Sequence, residues 1–229
     1  MESFGTLYIV ATPIGNLEDI TLRAIRILKE VDCILCEDTR TTKNLLDKYD
    51  INTKTISYHA HSTEAKESKI ISMLKNGQNL ALVSDAGTPC ISDPGVMLVA
   101  SVYKNLGDDA SVVPIPGPSA LVAGLSASGL SSASFSFLGF LPHKKGRATL
   151  FKEISQKNEM VAFYESTHRI MKTLISLDEV LGDRNIVIAR ELTKKFEEFI
   201  RGTPKEVTDY FNTNKDKQRG EFVVFVAPK

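Results

Sequence analysis

The chain has 229 residues, of which 42% are apolar, and its 28 Lys and Arg are balanced by 28 Asp and Glu. That length holds one large or two small domains with a well-filled core. No apolar run approaches the ~18 residues of a membrane span, and no charged-then-apolar leader opens the chain. The expectation is a soluble, unprocessed, cytoplasmic protein without a membrane partner, and three cysteines without an export signal fit a reducing compartment.

Tyr8-Ile-Val-Ala-Thr-Pro-Ile-Gly-Asn16 opens the organised part. An apolar strand near 7–11 gives way to a loop with Pro13 and Gly15, then to a helix near 21–30. A second strand at 33–36 contains Cys33-x-x-Cys36. In a strand these two thiols face opposite sides, so they cannot share a metal. Helices near 41–49 and 63–76 flank a strand near 55–58, which ends in His59-x-His61. Two imidazoles without a third ligand make a poor metal site, so no metal is expected, and His59 reads as a substrate contact at a loop mouth.

Leu80-Ala-Leu-Val-Ser-Asp-Ala-Gly-Thr-Pro-Cys-Ile-Ser-Asp-Pro-Gly95 is the most informative segment. Its apolar start reads as a strand at 80–84, buried on both faces. Gly87 and Pro89 cannot continue a ladder, and Asp93-Pro94 suits the start of a helix near 94–106. A third strand of this kind, near 111–114, runs into Pro114-Ile-Pro-Gly-Pro-Ser-Ala120 and a small-residue helix through Gly124 and Ala127. Three Gly/Pro loops that leave three strands can converge on one ligand at the carboxyl edge of a parallel sheet. Neither G-x-G-x-x-G nor G-x-x-x-x-G-K-[ST] accompanies them, so the ligand should be small and held largely by backbone.

Strand–helix alternation up to about residue 115 predicts right-handed βαβ units and a parallel sheet. The second half has strands near 135–140, 160–164, 185–190, 196–201 and 221–226, with helices near 147–157, 168–181 and 204–212. Only Glu191-Leu-Thr-Lys-Lys195 separates two of those strands, too little for a parallel crossover, so this sheet should contain antiparallel pairs. The expected fold class is α/β in two domains, a parallel-sheet domain at 1–115 and a mixed-sheet domain at 116–229.

ATPIGNLEDITLRA, CEDTR, SDAGTPCISDPG, PIPGPSAL, FYESTHR and ARELTKKFEEFIRGT, in this order, closely resemble the tetrapyrrole-methylase superfamily. More narrowly, CEDTR and ELTKKFEEF resemble its ribosomal RNA small subunit methyltransferase I branch, which methylates a cytidine ribose 2′-oxygen in 16S rRNA. The resemblance runs from about Gly5 to Val226. It implies a tetrapyrrole-methylase-like fold, S-adenosylmethionine as methyl donor in the cleft between two α/β domains, a homodimer, and 16S rRNA within the 30S subunit as partner. Many members of that branch continue into a helical extension, whereas this sequence stops at Lys229.

On that reading the donor is held by the loops of Pro13, Gly15, Asp85, Gly87, Thr88, Ile91, Ser119 and Ala120, with Tyr164 and Ala189 added by the resemblance. A sulfonium cation suits such neutral, small-residue loops. The ribose hydroxyl is a weak acid, so a general base would help. Asp38, Glu191, or Lys194 with its pKa lowered beside Arg190, are the candidates. Arg40, Arg169, Arg190 and Lys195 fit phosphate or ribose contacts. Residues 1–139 carry a net charge of −4 and residues 140–229 a net +4, so RNA contacts should lie mainly on the second half, with His143-Lys-Lys-Gly-Arg147 prominent. Zero net charge overall predicts weak, salt-sensitive affinity for naked RNA. The competing readings are a methylase of a tetrapyrrole macrocycle and a non-catalytic sensor of the donor.

Overall fold

The computed structural model describes residues 4–59, 62–92 and 95–229. The chain divides into two compact units, Met1–Ser119 and Ala120–Lys229.

The first unit runs β1 (Thr6–Val10), α1 (Leu22–Glu30), β2 (Cys33–Cys36), α2 (Thr39–Lys48), β3 (Thr55–Ser57), α3 (Glu64–Lys75), β4 (Leu80–Leu82), α4 (Val96–Leu106) and β5 (Ser111–Ile115). All five strands are parallel, in the order β3-β2-β4-β1-β5. The strand period of two sorts the apolar residues between two cores. Cys33, Leu35, Leu80 and Leu82 pack with Ile70 and Leu74 of α3 and Leu98 and Val102 of α4. Ile34, Cys36 and Ala81 pack on the other face, with Ala24 and Leu28 of α1 and Leu45 and Leu46 of α2. The two thiols of the Cys33-x-x-Cys36 pair are therefore in different cores. Burial pushes both thiols above their ordinary pKa.

Local chemistry sets the helix starts. Thr21 and Asp38 cap α1 and α2, their side chains accepting from the backbone N–H of Ala24 at 3.1 Å and of Arg40 at 2.8 Å. The Asp38 cap is why α2 starts at Thr39 rather than near 41. β4 ends at Leu82, two residues short of the expected strand, where the chain turns into the 84–91 loop. Asp93 and Pro94, the expected start of the next helix, lie outside the described residues, as does His61. α4 begins at Val96, with Gly95 at its N-cap.

The second unit contains α5 (Ala120–Ser128), β6 (Phe135–Phe140), α6 (Arg147–Gln156), β7 (Met160–Ser166), α7 (Ile170–Leu181), β8 (Ile186–Arg190), β9 (Glu198–Gly202), α8 (Pro204–Thr213) and β10 (Glu221–Val226). The sheet order is β6-β7-β10-β8-β9. β6 and β7 are parallel; the β7–β10, β10–β8 and β8–β9 pairs are antiparallel. Phe163, Leu174, Leu177, Ile188, Phe211 and Val224 dominate the core beneath α6, α7 and α8. Phe225 and Ala189 face the other way, toward α5. α7 begins at Ile170, so His168 sits in the turn before it rather than in its first helical position.

Two arginines fasten segments distant in sequence. Arg184 donates to the carbonyls of Ala227, Ile154 and Lys157, and Arg201 to those of Ala127 and Ser128 at the end of α5. α5 lies close on the sheet because Gly124 has no side chain: a Cβ there would stand 2.9 Å from Phe225 Cζ and 3.4 Å from Ala189 Cβ. Gly124→Val is therefore expected to overpack this face and cost the second unit about 1–3 kcal/mol, read as a lower denaturation midpoint at unchanged m-value. An unaltered midpoint would mean that α5 is not pressed on β10.

Candidate active site

Parallel pairing puts the ends of all five strands of the first unit on one edge, the edge at which open α/β sheets bind ligands. The loops that leave it are bonded to one another. Thr12, just past β1, and Gly87, in the loop after β4, exchange both backbone bonds: the Thr12 N–H donates to Gly87 O at 2.8 Å and the Gly87 N–H to Thr12 O at 3.0 Å. The Thr12 hydroxyl donates to Ser84 O at 3.1 Å. Thr88 Oγ1 donates to Pro118 O at 3.0 Å, which ties the β4 loop to the β5 loop. Asp85 accepts from the Asp38 N–H at 3.2 Å, which ties it to the start of α2. The loops expected to converge thus do meet.

Their lining suits a compact cation. Loops 11–15, 84–91 and 116–119 contain no Lys or Arg, and Asp85 is their single charge. Gly87 sits at φ +84°, a left-handed backbone that favours glycine, and a Cβ there would come into van der Waals contact with Ile14 Cγ2 at 3.4 Å. Pro13 is buried, Gly15 and Asp85 are exposed, and Thr88, Ser119 and Ala120 are half-buried; Ile91 is 44% exposed. Pro13 and Asp85 also border a pocket of about 200 Å³, with Thr12, Thr41, Asn44 and Ser84 on its wall.

Asp38 and Arg40 form a tight pair beside these loops. Arg40 Nη2 reaches Asp38 Oδ2 at 2.7 Å, and its Nε reaches Oδ1 at 3.1 Å. Hydrogen bonds from the Arg40 side chain, then from its backbone N–H, bring the Asp38 carboxyl down to about 2. The Arg40 guanidinium is otherwise in solvent, with its side chain 89% exposed. His59 is exposed, and its N–H donates to Ser62 Oγ at 2.9 Å.

In the second unit β6, β7 and β8 end on one edge, because β7 and β8 are both antiparallel to β10. That edge gathers Tyr164, Arg169, Arg190, Glu191, Lys194 and Lys195. Several stand differently from the expectation. The Lys194 ammonium bridges Glu191 Oε1 at 3.0 Å and Glu221 Oε2 at 2.9 Å. Burial pulls its pKa down, but the hydrogen bonds and charges of the two carboxylates outweigh burial, and the net shift is up. The expected lowering is corrected: Lys194 is a stable cation. For Glu191 burial pushes up, while the Glu221 N–H and Lys194 pull harder, so its net shift is down.

Arg190 is turned inward as well. It donates to the carbonyls of Lys217, Arg219 and Phe196 at 2.8–3.0 Å, which makes it a clamp on the loops rather than a phosphate contact. Arg169 Nε lies 2.7 Å from Glu165 Oε1, and its Nη1 donates to Leu141 O at 2.7 Å. Ala189 is fully buried under α5, with its strand paired on both sides, so its side chain is not open to a ligand. Tyr164 is half-buried between the rings of Phe137 and Phe140. Lys195 is exposed, over the Phe196 ring at 5.6 Å. Glu191 and Thr193 hold φ of 51° and 63°, backbone strain of the kind that collects at functional loops.

Two arrangements are not legible in the sequence. Thr12 reads as a loop residue, although a hydroxyl just past a strand end can cross-link neighbouring loops. Arg147 reads as part of a basic run, yet with Thr173 it holds the buried Glu165: its Nη2 lies 3.2 Å from Glu165 Oε2 and 2.5 Å from Thr173 Oγ1. Only the sheet brings residues 147, 165 and 173 together. Among the described residues no group of three or more His, Cys, Asp or Glu could hold a metal ion, and no helix is long and apolar enough to cross a membrane.

Residues 6–208 match the family of tetrapyrrole (corrin/porphyrin) methylases. Ribosomal RNA small subunit methyltransferase I of Bacillus subtilis (strain 168) is 50% identical over 226 residues, 98% of this chain and 76% of that protein. The protein of the same name from Thermotoga maritima is 44% identical over 225 residues, 98% of this chain and 99% of that one. Among solved structures, diphthine synthase aligns over 98% of this chain and 90% of its own, with a TM-score of 0.74 at 13% identity. A cobalt precorrin-4 methyltransferase aligns over 97% and 94%, with a TM-score of 0.68 at 17% identity. At such identities these two show the fold alone. The chain belongs to the tetrapyrrole methylase family, and within it to the ribosomal RNA small subunit methyltransferase I branch.

Proposed function

We propose that this chain is a methyltransferase that uses S-adenosylmethionine to methylate the ribose 2′-oxygen of a cytidine in 16S rRNA of the small ribosomal subunit. What carries the reading is 50% identity, over nearly the whole chain, to a protein named for small-subunit rRNA methylation. The cation-free loops around Gly87 support it, since a sulfonium fits backbone carbonyls and apolar walls. A solved relative in fold, a uroporphyrin-III C-methyltransferase from Thermus thermophilus, was crystallised with the demethylated donor, S-adenosylhomocysteine.

Pro13, Gly15, Asp85, Gly87, Thr88, Ile91, Ser119 and Ala120 are the residues proposed to hold the donor. Bound there, S-adenosylmethionine supplies an electrophilic methyl group. The chain's own part is to align the hydroxyl, which alone is worth roughly 7–11 kcal/mol, and to take its proton. Lys194 is in its acid form at neutral pH, so acceptance falls to a carboxylate. Asp38 is favoured over Glu191 because its N–H is bonded to Asp85 of the donor loop. Paired with Arg40 it is a weak base. An RNA phosphate that draws the exposed guanidinium away restores its basicity as substrate arrives, which joins the roles of Arg40 and Asp38 in one step.

Incubation with labelled S-adenosylmethionine, 30S subunits that lack the modification and a tetrapyrrole precursor tests the reading. Label in a 2′-O-methylated nucleoside is expected; label in the macrocycle, or in neither, overturns it. Gly87→Leu is expected to abolish donor binding by calorimetry while unfolding stays cooperative, and unchanged affinity would place the donor elsewhere. Asp38 is expected to titrate near 2 by carboxyl NMR. Because its folded pKa is depressed, the pairing with Arg40 persists at neutral pH and is lost only as pH falls toward that value. Arg40→Ala should raise the midpoint but leave it below the ordinary ~3.9, because the backbone N–H bonds of the helix cap remain. Asp38→Asn should lower kcat by about 10²–10⁴-fold at unchanged donor affinity; a smaller loss would pass the role to Glu191.

A further inference from the structure

Several cations of the second unit are spent inside it. Arg147 and Arg169 are spent on Glu165, Arg184 and Arg190 on backbone carbonyls, and Lys194 and Lys217 on carboxylates. At the carboxyl ends of β6 and β7 the situation is the reverse. The β6–α6 loop exposes His143, Lys144 and Lys145; the turn after β7 exposes His168, and Lys172 is exposed one helical turn later. None of these five side chains has a hydrogen-bond or ion-pair partner among the described residues. Neither segment contains an acid: residues 141–152 and 166–177 include no Asp or Glu.

The platform beneath them is fixed and itself positive. Glu165 is 1% exposed and is outnumbered by two arginines. The same arginines hold the root of the loop, Arg147 Nη1 donating to Pro142 O at 3.0 Å and Arg169 Nη1 to Leu141 O at 2.7 Å. Both loops emerge on one side because β6 and β7 are parallel neighbours. Two fixed segments that carry cations and no acid suit an extended polyanion, the nearest carboxylates, Glu191 and Glu221, being engaged by Lys194, and a loop already held in place loses less freedom on binding.

Resting on the RNA reading above, we propose that His143, Lys144, Lys145, His168 and Lys172 form the docking surface for the sugar–phosphate backbone of the RNA. Glu165 is a positioning residue, which keeps that surface in shape through Arg147 and Arg169 without touching RNA. Contacts of this kind set register and orientation and leave sequence choice to other groups.

Filter binding of the full chain to a 16S rRNA fragment over a range of salt tests this. Lys144→Ala/Lys145→Ala is expected to lower the slope of log affinity against log salt by about two and to weaken binding about fiftyfold near 0.1 M salt, with donor affinity intact. The charge-matched Lys157→Ala/Lys205→Ala, before β7 and after β9 on the opposite edge of the sheet, should leave the slope alone. Glu165→Gln should raise the KM for RNA more than it lowers kcat; should it fail to fold, Thr173→Val, which removes one bond to Glu165, takes its place. An unchanged slope in the Lys144/Lys145 variant, or an equal fall in the control pair, overturns the surface even where the chain methylates 30S subunits. A parallel loss of donor affinity in the Glu165 or Thr173 variant overturns the positioning role. Absence of any methylation of 30S subunits by the unaltered chain is a separate result, which overturns the functional reading itself.

Discussion

The first unit depends on the reciprocal backbone bond between Thr12 and Gly87. β1 and β4 are already neighbours in the sheet, but a sheet fixes only where its strands end, not the course of the loops that leave them. The two N–H to carbonyl bonds, backed by the Thr12 hydroxyl on Ser84 and the Thr88 hydroxyl on Pro118, turn three separate loops into one surface. Because the cross-links are backbone or short hydroxyls, the surface remains narrow, free of Lys and Arg, and close to whatever sits on it. A larger residue at position 87 would meet Ile14 and would also have to adopt a left-handed backbone.

The second unit solves a different problem, that of carrying many charges without scattering them. A buried ion pair gains little net stability once desolvation is counted, but breaking one costs several kcal/mol, so such pairs fix geometry. Glu165 with Arg147 and Arg169, and Arg190 with its three carbonyls, have that character. They settle which cations face water and which do not. A composition that is neutral overall thereby presents a local cationic edge.

Much of the fold was legible in the sequence. Short apolar runs placed buried strands such as β2, β4, β8 and β10 within a few residues, since burial on both faces leaves an unbroken apolar signature. The link between β8 and β9, residues 191–197, is too short for a parallel crossover, as the still shorter 191–195 read from the sequence implies. Errors came at ends: α2 began earlier because Asp38 caps it, and β4 stopped earlier because its loop turns off at once to reach Thr12. The electrostatics were less legible. From the sequence Lys194 reads as losing basicity beside Arg190, yet Glu221, 27 residues away in sequence, lies against it and reverses the shift.

The sequence by itself determined the α/β class, the parallel and mixed characters of the two sheets, the glycine and proline loops and the family, because each is written in local spacing and composition. Tertiary structure alone decided which loops are bonded to which, which arginines are spent inside the protein, and in which direction each charged group is shifted. Those properties depend on distances between residues far apart in the chain, and Coulomb and hydrogen-bond energies follow separation in space, not position in sequence.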